Sequence, residues 1–196
     1  MMEETRLVWF SAAFLSGSFP TAYLVGKYFF HTDIRTQGSG NVGATNAFRV
    51  FGKGAGLAVF AVDFCKGLLP VAAYRALVSP EPESTLWIGL AAILGHVFTP
   101  FLRFKGGKGI ATGAGTLCAA MPKLFLFALP VWLAVFALTR IVSISSIAAL
   151  AALFVLTIFF HLSPRASLCM FLIVALAAWT HRSNISRLLS GTEKKL

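Results

Sequence analysis

Seven apolar runs divide this chain, at 7–30, 57–78, 86–101, 110–121, 124–139, 144–160 and 166–180. Most are near the length at which a helix crosses a bilayer. Inside hydrocarbon no water satisfies a backbone amide, so the permitted structures are few, and helices satisfy their amides internally. With 57% hydrophobic residues, 12% charged residues and a mean hydropathy of +0.79, the chain is too apolar for a soluble domain of 196 residues. Its connections are too polar for a simple anchor. The expected fold is an all-α integral membrane protein forming a single polytopic domain over 1–196.

The first run carries Ser16, Gly17, Ser18 and Pro20, which predicts a kink or a close helix contact. Met1-Met2-Glu3-Glu4 lacks the positive charge of a signal peptide, so this run is read as a mature span. The run at 110–121 is short, and charge decides how to read it. If it crosses, one side holds Arg35, Arg49, Lys53, Arg103, Lys105, Lys108, Arg140, Arg182, Arg187, Lys194 and Lys195. The other side holds Arg6, Lys123, Arg165 and the acidic turn at 80–84. That asymmetry satisfies the positive-inside rule, and a re-entrant segment would weaken it. Seven spans are expected, with the N-terminus outside and the C-terminus in the cytoplasm. Neighbouring helices would cover the short crossing, and Gly113, Ala114 and Gly115 would let them approach.

This topology gathers the connection at 31–54, the Lys105-Gly106-Gly107-Lys108-Gly109 loop, the 140–146 connection and the basic tail on the cytoplasmic face. Two of these are Gly-rich and basic. Glycine lets backbone N–H groups approach an anion, and lysine or arginine supplies charge. Gly40, Gly43, Gly106, Gly107 and Gly109 can shape anion nests, with Arg49, Lys105 and Lys108 as cations. The plainer alternative is turn glycines beside topology-setting cations. Gly38-Ser39-Gly40-Asn41-Val42-Gly43 matches G-x-G-x-x-G but follows a membrane span, not a strand. The second loop lacks the spacing of a Walker motif.

The net charge of +10 suits anionic lipid and anionic substrates; without a separate soluble basic domain, nucleic acid is not an expected partner. Asp63 and Lys66 share a helical face and read as a structural pair. His96 reads equally as a base or as a packing histidine. His181 and Asn184 can face one ligand, although a snorkelling helix end explains them as well. Ser143, Ser145 and Ser146 suit either substrate hydrogen bonds or helix packing. Cys65, Cys118 and Cys169 read as small buried hydrophobes. No metal-ligand spacing occurs, and no cofactor is expected.

Asp33-Ile34-Arg35, the stretch Gly38-Ser39-Gly40-Asn41-Val42-Gly43-Ala44-Thr45-Asn46 and Arg49 resemble the first motif of the bacterial membrane acyl-phosphate:glycerol-3-phosphate acyltransferases. Phe104-Lys105-Gly106-Gly107-Lys108-Gly109-Ile110-Ala111-Thr112 resembles the second. His181-Arg182-Ser183-Asn184-Ile185-Ser186-Arg187-Leu188, with Gly191 and Glu193, resembles the third. Asp63-Phe64-Cys65-Lys66-Gly67 and Gly95-His96 also fit, and the match spans the whole chain.

The resemblance implies transfer of a fatty acyl group from acyl phosphate to the 1-hydroxyl of glycerol 3-phosphate. The products would be lysophosphatidic acid and inorganic phosphate, at the cytoplasmic face of the bacterial inner membrane. A separate acyl-carrier-dependent enzyme would supply the donor. It implies that Ser39, Arg49, Asn184 and Glu193 serve catalysis and that the second motif binds glycerol 3-phosphate. Lys108 and His181 join the catalytic candidates. Gly40, Asn41, Gly43, Thr45, Asn46, Lys105, Gly106, Gly107, Gly109, Ser143 and Ser145 are the substrate-binding candidates.

Acyl phosphate is already activated, so direct attack without an acyl-enzyme suffices, driven by positioning and charge neutralisation. No His here has Asp five positions on, as the other large class of glycerol-phosphate acyltransferases requires. Two rivals share the basic loops: a transporter of phosphate compounds, and an enzyme using acyl-thioester donors.

Overall fold

Three prolines open helices where hydropathy alone places the helix start later: Pro82, Pro122 and Pro164 each sit in the first turn. Their missing N–H has no intrahelical partner to lose there, and their fixed φ suits the helix. The computed structural model describes residues 2–79 and 81–196, with the side chains of 2–4 left aside. Met1, and Pro80 of the expected acidic turn, lie outside the described residues. Every regular element among those residues is helical. The helices fall into two compact units, 1–120 and 121–196.

In the first unit, α1 (Met2–Ser18) and α2 (Thr21–Phe29) meet at a break over Phe19-Pro20. The expected kink is there. Gly17 faces the Ala92 carbonyl and Gly95 faces Phe14, so that any Cβ at either position would overlap backbone. The connection expected at 31–54 contains α3 (Ala44–Phe51), and α4 (Lys53–Leu77) starts before its apolar run does. Ala22, Ile34, Val42, Ala47, Val59 and Leu102 form the core beneath that connection. Then follow α5 (Pro82–Val97) and α6 (Ile110–Ala120).

The eleven residues of α6 rise only about 16 Å. Two contacts explain how so short a helix packs. Gly67 of α4 lies against the Thr112 carbonyl, and farther along both helices Arg75 Nη1 donates to the Ala119 carbonyl at 2.8 Å. Thus α6 runs parallel to the C-terminal half of α4. Arg75 also places a cation at the end of α6, where the helix dipole favours one.

In the second unit, α7 (Pro122–Thr139) and α8 (Val142–Phe159) are joined through Arg140, whose φ of 59° is left-handed. Trp132 Nε1 donates to Ser146 Oγ at 3.2 Å. Ser163 caps α9 (Pro164–Thr180) by accepting the Ala166 N–H, and α10 (Arg182–Leu189) bends 56° away from α9.

Exposed Leu133, Val155, Ile158, Phe159 and Phe171 suit a lipid-facing surface. Five candidate spans are long and apolar enough to cross a membrane, and α9 with α10 makes a sixth if the bent pair is one span. The helix α6 falls short of that length, so five or six of the expected seven crossings meet the criterion.

Candidate active site

The first-motif loop is shaped by Asn46. This residue is 1% exposed, and its side chain braces the loop on both sides. Its Oδ1 accepts the Ser39 N–H at 2.9 Å, while Nδ2 donates to the carbonyls of Gln37 at 3.0 Å and Ile34 at 3.4 Å. The sequence placed Asn46 among substrate-binding residues. Its amide is instead occupied by the loop backbone, which makes it the brace that presents Ser39. Ser39 Oγ accepts the Asn41 N–H at 3.4 Å on the exposed side. Gly40, with φ of 71°, takes a left-handed turn that a Cβ would strain. Gly43 caps α3, and its carbonyl accepts the N–H groups of Asn46 and Ala47. Thr45 and Arg49 are half-buried on α3.

Before this loop, Asp33 and Arg35 form a forked pair at 2.6 Å, and the Arg35 guanidinium lies 4.9 Å from the Tyr23 ring centre. The hydrogen bond to Arg35 holds the Asp33 carboxyl below its ordinary value, against a modest opposing effect of burial.

The second motif closes the end of α5. Gly106 N–H donates to the Val97 carbonyl at 3.0 Å and Gly107 N–H to the His96 carbonyl at 3.1 Å. These two amides are therefore not anion donors, which corrects the nest expected at Gly106 and Gly107. Glycine is needed there for a different reason. A Cβ at Gly107 would sit 2.7 Å from the Val42 carbonyl oxygen and against the His96 ring. The first and second motifs thus touch, backbone to backbone. Gly109 turns with φ of 81° into α6, whose first-turn amides have no intrahelical partner and favour an anion. Lys105 is exposed and Lys108 half-buried beside them.

In the second unit Glu193 is the centre of the third motif. Its carboxylate accepts from Ser143 Oγ at 2.8 Å, Asn184 Nδ2 at 2.6 Å and Arg187 Nε at 2.6 Å. Burial pushes the Glu193 carboxyl up, but these three donors and the Arg187 charge outweigh it and hold the group below its ordinary value. The Arg187 contact was missed as a functional one in the sequence, although opposite charges six residues apart in one motif were the available signal. His181 is buried, with Nδ1 2.7 Å from the Ala177 carbonyl. Ser145 Oγ donates to the Ile141 carbonyl of its own helix at 2.9 Å, which leaves its oxygen as an acceptor.

The family described as glycerol-3-phosphate acyltransferase matches residues 7–191. This chain belongs to that family. The glycerol-3-phosphate acyltransferase of Trichlorobacter lovleyi is 44% identical over 189 residues, covering 96% of each chain. Glycerol-3-phosphate acyltransferase 2 of Moorella thermoacetica is 47% identical over 184 residues, covering 94% of each. Among solved structures, PlsY, an integral membrane glycerol 3-phosphate acyltransferase, superposes in its glycerol 3-phosphate form with a TM-score of 0.92. It shares 37% identity, with 98% of this chain and 96% of that one covered. Its lysophosphatidic acid form gives 0.87 at the same identity, with 98% and 95% covered. This acyltransferase is accordingly an all-helical integral membrane protein.

Proposed function

We propose that this chain transfers a fatty acyl group from acyl phosphate to the 1-hydroxyl of glycerol 3-phosphate, giving lysophosphatidic acid and inorganic phosphate. Acylation of glycerol 3-phosphate is what the names of its relatives state. The donor assignment rests on the motif resemblance, and the observation that supports two phosphate-bearing substrates is the contact of two basic, Gly-rich loops at Val42 and Gly107. Both proposed substrates carry a phosphate, and each loop leads into a helix N-terminus suited to an anion. A donor made elsewhere, by an acyl-carrier-dependent enzyme, would deliver its alkyl chain through lipid.

In this reading the 1-hydroxyl oxygen attacks the acyl carbonyl carbon. The carbon–oxygen bond to phosphate breaks, and phosphate leaves with the electron pair. Arg49 and Lys108 neutralise phosphate, with Lys105, Thr45, Asn41, Gly40, Gly43 and the turn at Gly109 shaping the sites. Ser39 in the first unit and Asn184 in the second are each read as hydrogen-bonding a substrate. The Nδ1 contact to Ala177 favours the tautomer with the proton on Nδ1. Nε2 then has the lone pair to take the hydroxyl proton, or to orient the hydroxyl while the donor phosphate takes it. Glu193 fixes Asn184 and Arg187.

We place the protein in the bacterial inner membrane as one polytopic domain of seven crossings. The N-terminus is outside, and the C-terminus and the chemistry are cytoplasmic. The parallel course of α6 beside α4 supports a crossing by α6, because neighbouring helices supply the rest of the membrane depth. Purified protein supplied with radiolabelled glycerol 3-phosphate decides the reaction. Lysophosphatidate is expected with acyl phosphate alone, and product formed only with acyl-CoA would overturn the donor.

A further inference from the structure

Three helix ends meet at one level beside the middle of α4. The α1–α2 break brings the Phe19 carbonyl to Lys66 Nζ at 2.6 Å, and the Ser18 carbonyl accepts Thr99 Oγ1 at 2.5 Å. The end of α5 receives the Gly106 and Gly107 amides. The start of α6 lies next to Gly67 through Thr112. Lys66 Nζ also pairs with Asp63 Oδ1 at 2.6 Å, and Ser16 Oγ donates to the Lys66 carbonyl at 3.2 Å. Thr21, Asp63, Lys66, His96, Gly106 and Gly107 line one small cavity there. Its free volume of about 10 Å³ holds roughly one water.

A charged pair within a membrane span is costly, and replacing a buried pair by apolar side chains of similar volume is often neutral or stabilising. Stability alone is thus a poor reason for Asp63 and Lys66 to be there. What the pair does geometrically is plain. It ties α4 to the broken end of α1, and it lines the same small space as Gly106 and Gly107.

We propose that Asp63 and Lys66 are positioning residues for the glycerol 3-phosphate loop. They hold the break at Phe19 against α4, so the loop over Lys105–Gly109 has a fixed floor and cannot settle into the cavity. The inference rests on the acyl-transfer reading above for its kinetic consequence, not for its structural one.

The test replaces the pair by apolar residues of similar size, Asp63→Leu with Lys66→Met, in the full-length protein in lipid nanodiscs. Two readouts are taken. Amide exchange of a peptide covering 104–109 is expected to rise about tenfold as the loop loosens. The KM for glycerol 3-phosphate is expected to rise about tenfold, while kcat and the KM for acyl phosphate stay within about twofold. In the otherwise wild-type chain, Lys66→Arg, which keeps the charge beside Asp63, leaves both readouts within about twofold of wild type. Should the double variant not fold, the milder pair Asp63→Asn with Lys66→Met, which also removes the bond to the Phe19 carbonyl, carries the same two readouts.

Unchanged exchange in a folded variant overturns the inference, and so does a fall in kcat without a change in KM. A wild-type protein that makes no lysophosphatidate would instead refute the reaction. The exchange measurement would still decide the role of the pair.

Discussion

The side-chain amide of Asn184 donates to the Glu193 carboxylate at 2.6 Å, joining the first turn of α10 to the tail beyond its end. The chain doubles back so that Thr192 N–H reaches the Arg187 carbonyl at 2.8 Å and Leu196 N–H reaches the Arg140 carbonyl at 2.8 Å. The last residues are therefore part of the site's frame. Glu193 accepts three donors and offers none, which a carboxylate does and a carboxamide does not.

Glu193→Gln should therefore be damaging out of proportion to its size. Gln must present an NH₂ group to one of the three donors, and the charge-assisted bond to Arg187 is lost. Each hydrogen bond to a charged group is worth about 1.5–3 kcal/mol, so a tenfold to hundredfold fall in kcat/KM is expected. Turnover with acyl phosphate in a protein that still elutes as a single species checks it. An activity within twofold of wild type would show that the tail does not position Asn184.

The same cluster sets a pH dependence. The Glu193 carboxyl is held below its ordinary value of 4.5 in the folded protein. The stabilisation it gives is complete above that value and is lost as the pH falls through the lower folded value. Proteolysis of the tail, followed from pH 7 down to pH 3, should stay constant to about pH 5 and accelerate only in the more acidic range. Glu193→Gln should flatten this profile.

Asn46→Ala separates a brace from a ligand. Removing the side chain takes away the partner of the Ser39 N–H and one of the two donors to each of the Gln37 and Ile34 carbonyls, which keep the Gly40 and Gln37 N–H groups. A hydrogen bond of this kind contributes about 0.5–1.5 kcal/mol, and the loop carrying Ser39 loses the side chain that holds its shape. Reduced thermal stability together with reduced turnover is expected, both measured in detergent. Lost turnover at wild-type stability would instead make Asn46 a substrate ligand.

What was legible in the sequence follows physical lines. Hydropathy reports where lipid surrounds the chain, so the apolar runs came through, and Pro20 marked the break between α1 and α2. Hydropathy does not report where a helix begins. For that reason α4, α5, α7, α8 and α9 all start before their apolar runs do. The eight residues of α3 were read as connection, because so short an amphipathic helix has no spanning signature. Within the candidate site, motif resemblance named residues but not their bonding partners. Asn46 and Gly107 act on backbone groups of distant residues, and no spacing rule encodes that a helix end at Val97 needs two amide donors.

A pair of glycine substitutions tests how the second motif uses its glycines. At Gly107 a Cβ would press on the Val42 carbonyl and the His96 ring, neither of which is the free end of a flexible side chain. To accommodate it the two motif loops must part, which moves the groups around the proposed phosphate sites. Gly54, in the first turn of α4, has nothing within 4 Å of an added Cβ. There alanine removes only the excess freedom of the unfolded chain, a gain of about 0.5–1 kcal/mol. Gly107→Ala is thus expected to lose more than about tenfold in kcat/KM, while Gly54→Ala keeps wild-type activity and melts at an equal or higher temperature. Steady-state kinetics and thermal melts of both variants, in the same detergent, provide the comparison. A Gly107→Ala protein with normal kinetics would mean that the Val42–Gly107 contact is not what aligns the two loops.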